Sequence, residues 1–284
     1  MLERVDRVQL VVRDRLAAAR RFEALLGARP VREADAAYLG ARRVVLALGE
    51  SEVELCEPAG AGLAREHLDR WGEGLLAAGF AVGDLTDLHA RLAEEGAAFA
   101  EDGEQTYLEP SETPGMRVVL TLSRPGPPAG ARLYEVTNTL VSDWKTAADT
   151  YTRLFGLDPA HFSPIASARF GYTGTLCLFD PPRRLDRIEL SQVVDPASAM
   201  GRWVAKRGDS LYMCYLETDD VPGLVARLAR GDARFTPRGA DARTERDGLW
   251  IHPGALHGLL LGVSRPTLAW EWSGRPALVA PRGG

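Results

Sequence analysis

The sequence predicts an α+β protein assembled from four copies of one strand–helix–strand–strand–strand (βαβββ) module. Three observations predict it. An aspartate closing an apolar strand, a helix of 3.6 period and a glycine recur four times: Asp14 to Gly27, Asp84 to Gly96, Asp143 to Gly156 and Asp220 to Gly231. Those spans of 13, 12, 13 and 11 residues are nearly equal, as an internal repeat requires. The second and fourth copies also share a loop, Glu109-Pro110 through Gly115 and His252-Pro253 through Gly258. The first and third instead share the endings Val53-Glu54-Leu55 and Ile188-Glu189-Leu190. The order is therefore A-B-A′-B′, two related halves. A Pro/Gly cluster at 123–132, SRPGPPAGAR, separates 1–122 from 133–273.

Each module follows from its residues. VDRVQLVVRD is a strand covered by a helix, since its second half is apolar on both faces. Asp14 caps the next helix and Gly27 ends it. Between them Leu16, Ala19, Phe22, Leu25 and Leu26 form one apolar stripe. Strands are expected around Ala37–Tyr38, Val44–Leu48 and Val53–Cys56, with Gly40, Gly49 and Glu50 as turns. The second module has the strand GFAVGD and the stripe Leu85, Leu88 and Leu92. The third has LYEVTNTLVSD, then Trp144, Ala148, Tyr151, Leu154 and Phe155. The fourth has YMCYLETDD, then Val221, Leu224, Val225 and Leu228. Segments 58–75 and 194–209 join modules within a half, the second through a helical run, AMGRWVAKRG; the tail from Gly274 reads as loose.

The 284 residues are 45% hydrophobic and 26% charged, with a net charge of -5, as in a globular protein without a basic face for nucleic acid. No apolar run approaches the roughly 20 residues a membrane helix needs. MLERVDR enters a strand directly, with no leader-like character. Cys56, Cys177 and Cys214 lie in apolar strands without paired spacing, which fits buried reduced thiols in a cytoplasmic protein. No serine-hydrolase elbow, phosphate loop, CxxC pair or dinucleotide fingerprint is present, and GYTGTL reads as a hairpin turn.

Four modules of this length, opening on VQLVVRD and FEALLG, resemble the vicinal oxygen chelate superfamily, which includes glyoxalase I, extradiol dioxygenases and bleomycin resistance proteins. The resemblance runs from about Val5 to Ser273. It implies that modules pair into two curled-sheet cups, each able to hold a ligand. It also implies a divalent metal in most enzymes of the family, held by His on a module's first strand and Glu on its last. Here those positions read Arg7 and Glu54, Ala77 and Val119, Val136 and Glu189, and Met213 and Gly262. None is His, so no metal or other cofactor is expected. A set built from His252, His257 and Glu189 is the one unconventional alternative. His67, His89 and His161 read as linker, surface and loop residues.

Inward neighbours follow from strand alternation. The first cup should hold Arg7, Gln9, Glu54, Ala77, Gly79 and Arg117 or Thr121, closed by an Arg7–Glu54 salt bridge, so the N-terminal half reads as structural. The second should hold Asn138, Glu189, Ser191, Met213, Tyr215 and Glu217, with Arg187 nearby. With no cation at the Val136 position, Glu189 should have a raised pKa, suited to moving protons near neutral pH. Tyr215 and Asn138 would orient a substrate oxygen; a Glu189 bound to Asn138 or Arg187 and doing no chemistry is the alternative.

Three functions follow. The first is a metal-independent lyase or isomerase in which Glu189, helped by Tyr215, catalyses isomerisation, elimination or cyclisation of a small carbonyl compound. The second is a small-molecule binding protein of the bleomycin-resistance kind, its wall drawing on Trp144, Trp203, Trp250, Trp270 and Trp272. The third is a metal-dependent dioxygenase or glyoxalase-like enzyme with an unconventional site. The expected partner is a small molecule, neither nucleic acid nor membrane, and a homodimer is left open.

Overall fold

The computed structural model describes residues 2–124, 130–238, 247–266 and 268. Trp270 and Trp272, the tail, and parts of the 123–132 linker lie outside the described residues. The first module is β1 (Leu2–Val11), α1 (Arg15–Leu26), β2 (Arg29–Ala36), β3 (Ala41–Leu48) and β4 (Ser51–Pro58). After α2 (Leu63–Trp71) comes the second: β5 (Gly74–Val82), α3 (Leu85–Glu94), β6 (Ala100–Asp102), β7 (Gln105–Leu108) and β8 (Arg117–Leu122). The third is β9 (Ala131–Leu140), α4 (Trp144–Phe155), β10 (Phe162–Ser167), β11 (Tyr172–Leu178) and β12 (Arg187–Val193). After α5 (Ala199–Arg207) comes the fourth: β13 (Ser210–Thr218), α6 (Val221–Arg230), β14 (Phe235–Pro237), β15 (Gly248–Ile251) and β16 (Leu261–Ser264).

The fourfold repeat is thus real, and the strands collect into two eight-stranded sheets of identical connectivity. One runs β2-β3-β4-β1-β5-β8-β7-β6, the other β10-β11-β12-β9-β13-β16-β15-β14. The first strands of paired modules meet antiparallel at each centre, and the first and last strands of each module pair parallel.

All four aspartates cap their helices through side-chain oxygens. Such a cap satisfies backbone N–H groups that the first turn cannot pair internally and is worth about 1 kcal/mol. Gly27 and Gly156 end α1 and α4 in the left-handed conformation. Between its caps α1 buries Ala18, Ala19, Phe22, Leu25 and Leu26 against the sheets, each large side chain contributing about 1.5–3 kcal/mol.

Two sequence expectations need correction. The strand expected around Ala37–Tyr38 ends at Ala36, and those two residues form a turn. It is an edge strand, RPVREADA, mostly exposed, so its residues show no apolar alternation. In addition, the 58–75 segment contains a helix, α2, whose Ala64 and Leu68 pack with Leu39, Cys56, Leu76, Ala77 and Tyr107 on the inner face of the first sheet. Its counterpart α5 buries only Met200 and Gly201. The first cup is therefore covered by apolar side chains, and the second is left open.

Candidate active site

The open cup holds a cavity of about 680 Å³. Glu135 and Thr137 of β9, Glu189 of β12, and Tyr212, Met213 and Tyr215 of β13 line its floor. Tyr172, Phe170 and Trp250 supply aromatic wall, and Arg169 and Arg238 supply positive charge. Phe170 packs edge-on to Trp250, and the Arg238 guanidinium lies 5.4 Å from the Trp250 ring centre.

Two carboxylates meet on the floor. In the β9–β12 register Arg187 faces Glu135 and Glu189 faces Thr137, so both glutamates point into the cup. Fully buried Arg187 places Nε 2.5 Å from Glu135 Oε2, with its guanidinium over the Tyr134 ring. Glu189 accepts from Ser191 Oγ at 2.5 Å and from Thr137 Oγ1 at 3.0 Å. Burial first, then the charge of Glu135, pushes its pKa up to about 8. Two like charges so close resist ionising together, so one proton stays on the pair around neutral pH. Burial, with Glu135 and Glu189 adding to it, also raises the Tyr215 pKa, keeping the phenol neutral. The Trp250 indole donates to Tyr215 Oη at 3.4 Å.

The sequence-predicted residues divide. Glu189, Met213 and Tyr215 line the cavity. Ser191 lies behind, bonded to Glu189, and Arg187 behind, bonded to Glu135. Asn138 is not in the cup. Alternation turns it to the helix side, where its Nδ2 donates to the Pro114 carbonyl at 2.5 Å, as does the Tyr151 hydroxyl at 3.1 Å. Glu217 is also outside the cavity, with Arg132 Nε 2.8 Å from its carboxylate.

Sequence reading missed Glu135 because it assigned the first-strand position of the third module to Val136. The register aligns Arg7 with Glu135, each opposite the same place on its partner strands, and Val136 is in the core. Both strands are bulged at that same place, so the offset lies elsewhere: Arg7 is seven residues before its cap Asp14, and Glu135 is eight before Asp143. One more residue between strand and helix in the third module therefore moves its inward position back by one. The apolar Leu133, Val136 and Leu140, all in the core, would have identified the inward positions between them.

The donor set of the cup does not fit a resident divalent metal. Among the described residues it offers only two facing carboxylates and no imidazole, and one of the two is already engaged by the buried Arg187 guanidinium. His252 instead contacts Thr236, and His257 contacts Glu73, so neither joins Glu189. Among the described residues, no three His, Cys, Asp or Glu side chains are grouped to hold a metal. At the last-strand position Gly262, a Cβ would sit 2.1 Å from the Tyr215 ring, so that ring fills the space a ligand side chain would use.

In the first cup, Arg7 sits 2.6 Å from Glu54, the expected salt bridge, and 3.0 Å from Glu52. Asp6, Arg43, Gln9, Gln105 and Thr121 complete the network, and Gly79 gives Arg7 room to cross. Arg117 is elsewhere, bound to Glu109. Of the remaining expectations, Cys56, Cys177 and Cys214 are free and buried. No described helix is long and apolar enough to cross a membrane.

Residues 6–112 match the family model described as the Glyoxalase/Bleomycin resistance protein/Dioxygenase superfamily. Among solved structures, a mutant of 4-hydroxymandelate synthase from Streptomyces coelicolor superposes with a TM-score of 0.74 over 93% of each chain, at 15% identity. Methylmalonyl-CoA epimerase from Mycobacterium tuberculosis matches at a TM-score of 0.40 and 21% identity, over 44% of this chain and 90% of that one. No curated protein matches the sequence.

Proposed function

We propose that this chain, a member of the glyoxalase/bleomycin resistance protein/dioxygenase superfamily through its N-terminal half and through the fold its C-terminal half repeats, is a metal-independent acid–base enzyme acting on a small carbonyl compound. The observation that carries this reading is the Glu189–Glu135 pair, sharing a proton on the floor of an open, aromatic-walled cavity. A carboxylic acid with a pKa of about 8 is roughly one-tenth ionised at pH 7, which suits a group that must both take and give a proton.

In the ionised form Glu189 accepts a proton from the carbon next to the substrate carbonyl. The electron pair moves onto the carbonyl oxygen, where the neutral Tyr215 hydroxyl donates a hydrogen bond to the developing enolate. Returning the proton to another carbon completes an isomerisation, expelling a leaving group from the adjacent carbon completes an elimination, and attack on a second carbonyl closes a ring. Arg187 pairs with Glu135 at 2.5 Å, and the nearness of Glu135 favours the protonated form of Glu189 between steps.

The test is solvent-deuterium exchange at the α-carbon across a panel of small oxo compounds. The native protein should exchange at least one, and Glu189→Gln should lose exchange while still binding it. Unchanged exchange in Glu189→Gln removes Glu189 from the mechanism. The wall formed by Phe170, Tyr172 and Trp250 supports a second reading, ligand binding without chemistry. Tight binding with no exchange or product over long incubation would favour it.

A further inference from the structure

Two smaller cavities lie beyond one wall of the cup. One of about 450 Å³ shares Ala199, Tyr212 and Leu260 with the cup's lining, so those side chains are the partition between them. Arg202, Lys206 and Arg207 of α5 line its other side. A third cavity, of about 350 Å³, shares Leu75 and Arg207 with the second, and Arg117 and His67 also line it. Arg207 thus borders two neighbouring cavities, one of which shares a wall with the cup of the proposed reaction centre.

The Arg207 side chain is held in an unusual way for this protein. Its guanidinium carbon is 4.1 Å from the Trp203 ring centre and 4.9 Å from that of Trp71, so two indoles clamp it. Stacking of this kind fixes a guanidinium while leaving its edge for hydrogen bonds. Arg7, Arg43, Arg132 and Arg187 each have a carboxylate within 4.0 Å. Among the described residues Arg207 has none, and its hydrogen bond is a long one, 3.5 Å, to the Trp71 carbonyl. Burial lowers its pKa, with no anion acting in the other direction. In the lining of the third cavity, the buried His67 Nε2 has no hydrogen-bond partner among the described residues.

Carboxylates border these spaces too, but two of the three are engaged. Glu73 binds His257 and the Arg13 backbone N–H, and Asp209 accepts from Val141 N and Ser142. Glu66 is exposed on α2. A partly buried cation without a counter-charge costs free energy that an incoming anion offsets.

We infer that the α5 face next to the cup is an anion-binding subsite centred on Arg207, taking a phosphate or carboxylate group of the molecule whose carbonyl lies at Glu189. The assignment of the two groups to one molecule rests on the function proposed above. The substrate class is then an oxo compound with an anionic arm, its reactive end in the cup and its charge beyond Tyr212.

Trp71 and Trp203 report directly on Arg207, so tryptophan fluorescence reads the binding. The protein is titrated with inorganic phosphate and separately with acetate, at constant ionic strength. At least one anion should give a saturable change, and the tighter of the two identifies the arm as phosphate or carboxylate. Arg207→Gln should weaken it at least tenfold. The exposed double variant Arg202→Ala/Lys206→Ala should weaken it several-fold and serves if Arg207→Gln does not fold. No saturable response to either anion, or an unchanged affinity in both variants, overturns the subsite. Glu189→Gln should keep the full anion response. A subsite that behaves as stated in a protein without proton exchange would sink the proposed reaction and leave the subsite standing.

Discussion

Glu189 of β12 lies against Glu135 of β9, and the buried guanidinium of Arg187 is 2.5 Å from Glu135. One cation and one proton thus serve two carboxylates. In the first half the same register places Arg7 opposite Glu52, with Glu54 at the position of Glu189. The charges of the pair are exchanged between halves. Glu54 consequently has two arginines, Arg7 and Arg43, and although burial works to raise its pKa, they hold it below the usual range. The equivalent glutamate in the second half has a carboxylate neighbour and a raised pKa.

Stability should fall as pH rises through Glu189. Its folded pKa of about 8 lies above its ordinary 4.5, so between those values the folded state binds more protons than the unfolded one. The penalty is absent below about pH 4.5, grows to about pH 8 and is then constant. Glu189→Gln should flatten this slope by an amount on the order of a few kcal/mol, read as the difference between the two Tm-against-pH curves from pH 5 to 8. Parallel curves would refute it.

Glu135→Gln should lower the Glu189 pKa, because it removes the like charge and leaves Arg187 with Glu189 as its nearest anion. The carboxyl stretch of Glu189, followed by infrared difference spectroscopy against Glu189→Gln, should titrate at least one pH unit lower. An unmoved titration would show that burial alone sets it.

Breaking the first-cup network should cost stability. Glu54→Ala leaves Arg7 and Arg43 buried beside fewer anions, and loss of one partner of such a pair costs about 3–5 kcal/mol. Denaturant unfolding measures this, and a cost below about 1 kcal/mol would mark the network as dispensable.

Gly262→Ala should displace the Tyr215 ring, since the added Cβ would meet it at 2.1 Å. Overpacking of this kind costs about 1–3 kcal/mol. Ligand binding in the cup should weaken with it, as measured by calorimetry; native affinity would show that Tyr215 is not part of the binding surface.

The sequence by itself determined the modular architecture. Caps, helix stripes and terminating glycines act within a dozen residues, so Asp14, Asp84, Asp143 and Asp220 were legible as module markers. The loops to Gly115 and Gly258 were legible as a matched pair, and both glycines have positive φ where they meet the other half. Glu189, Tyr215 and Met213 were reachable by strand alternation. Only the tertiary structure decided the rest. The third module carries one more residue between its first strand and its helix cap, which nothing in the segment announces, so Glu135 was exchanged for Val136, and Asn138 was assigned to the wrong face. Which cup stays open depends on two helices of similar length: α2 brings Ala64 and Leu68 onto its sheet, while α5 turns basic residues to a neighbouring cavity. The raised pKa of Glu189 likewise comes from burial in the folded sheet and then from Glu135, 54 residues earlier in the chain, which only strand pairing brings beside it.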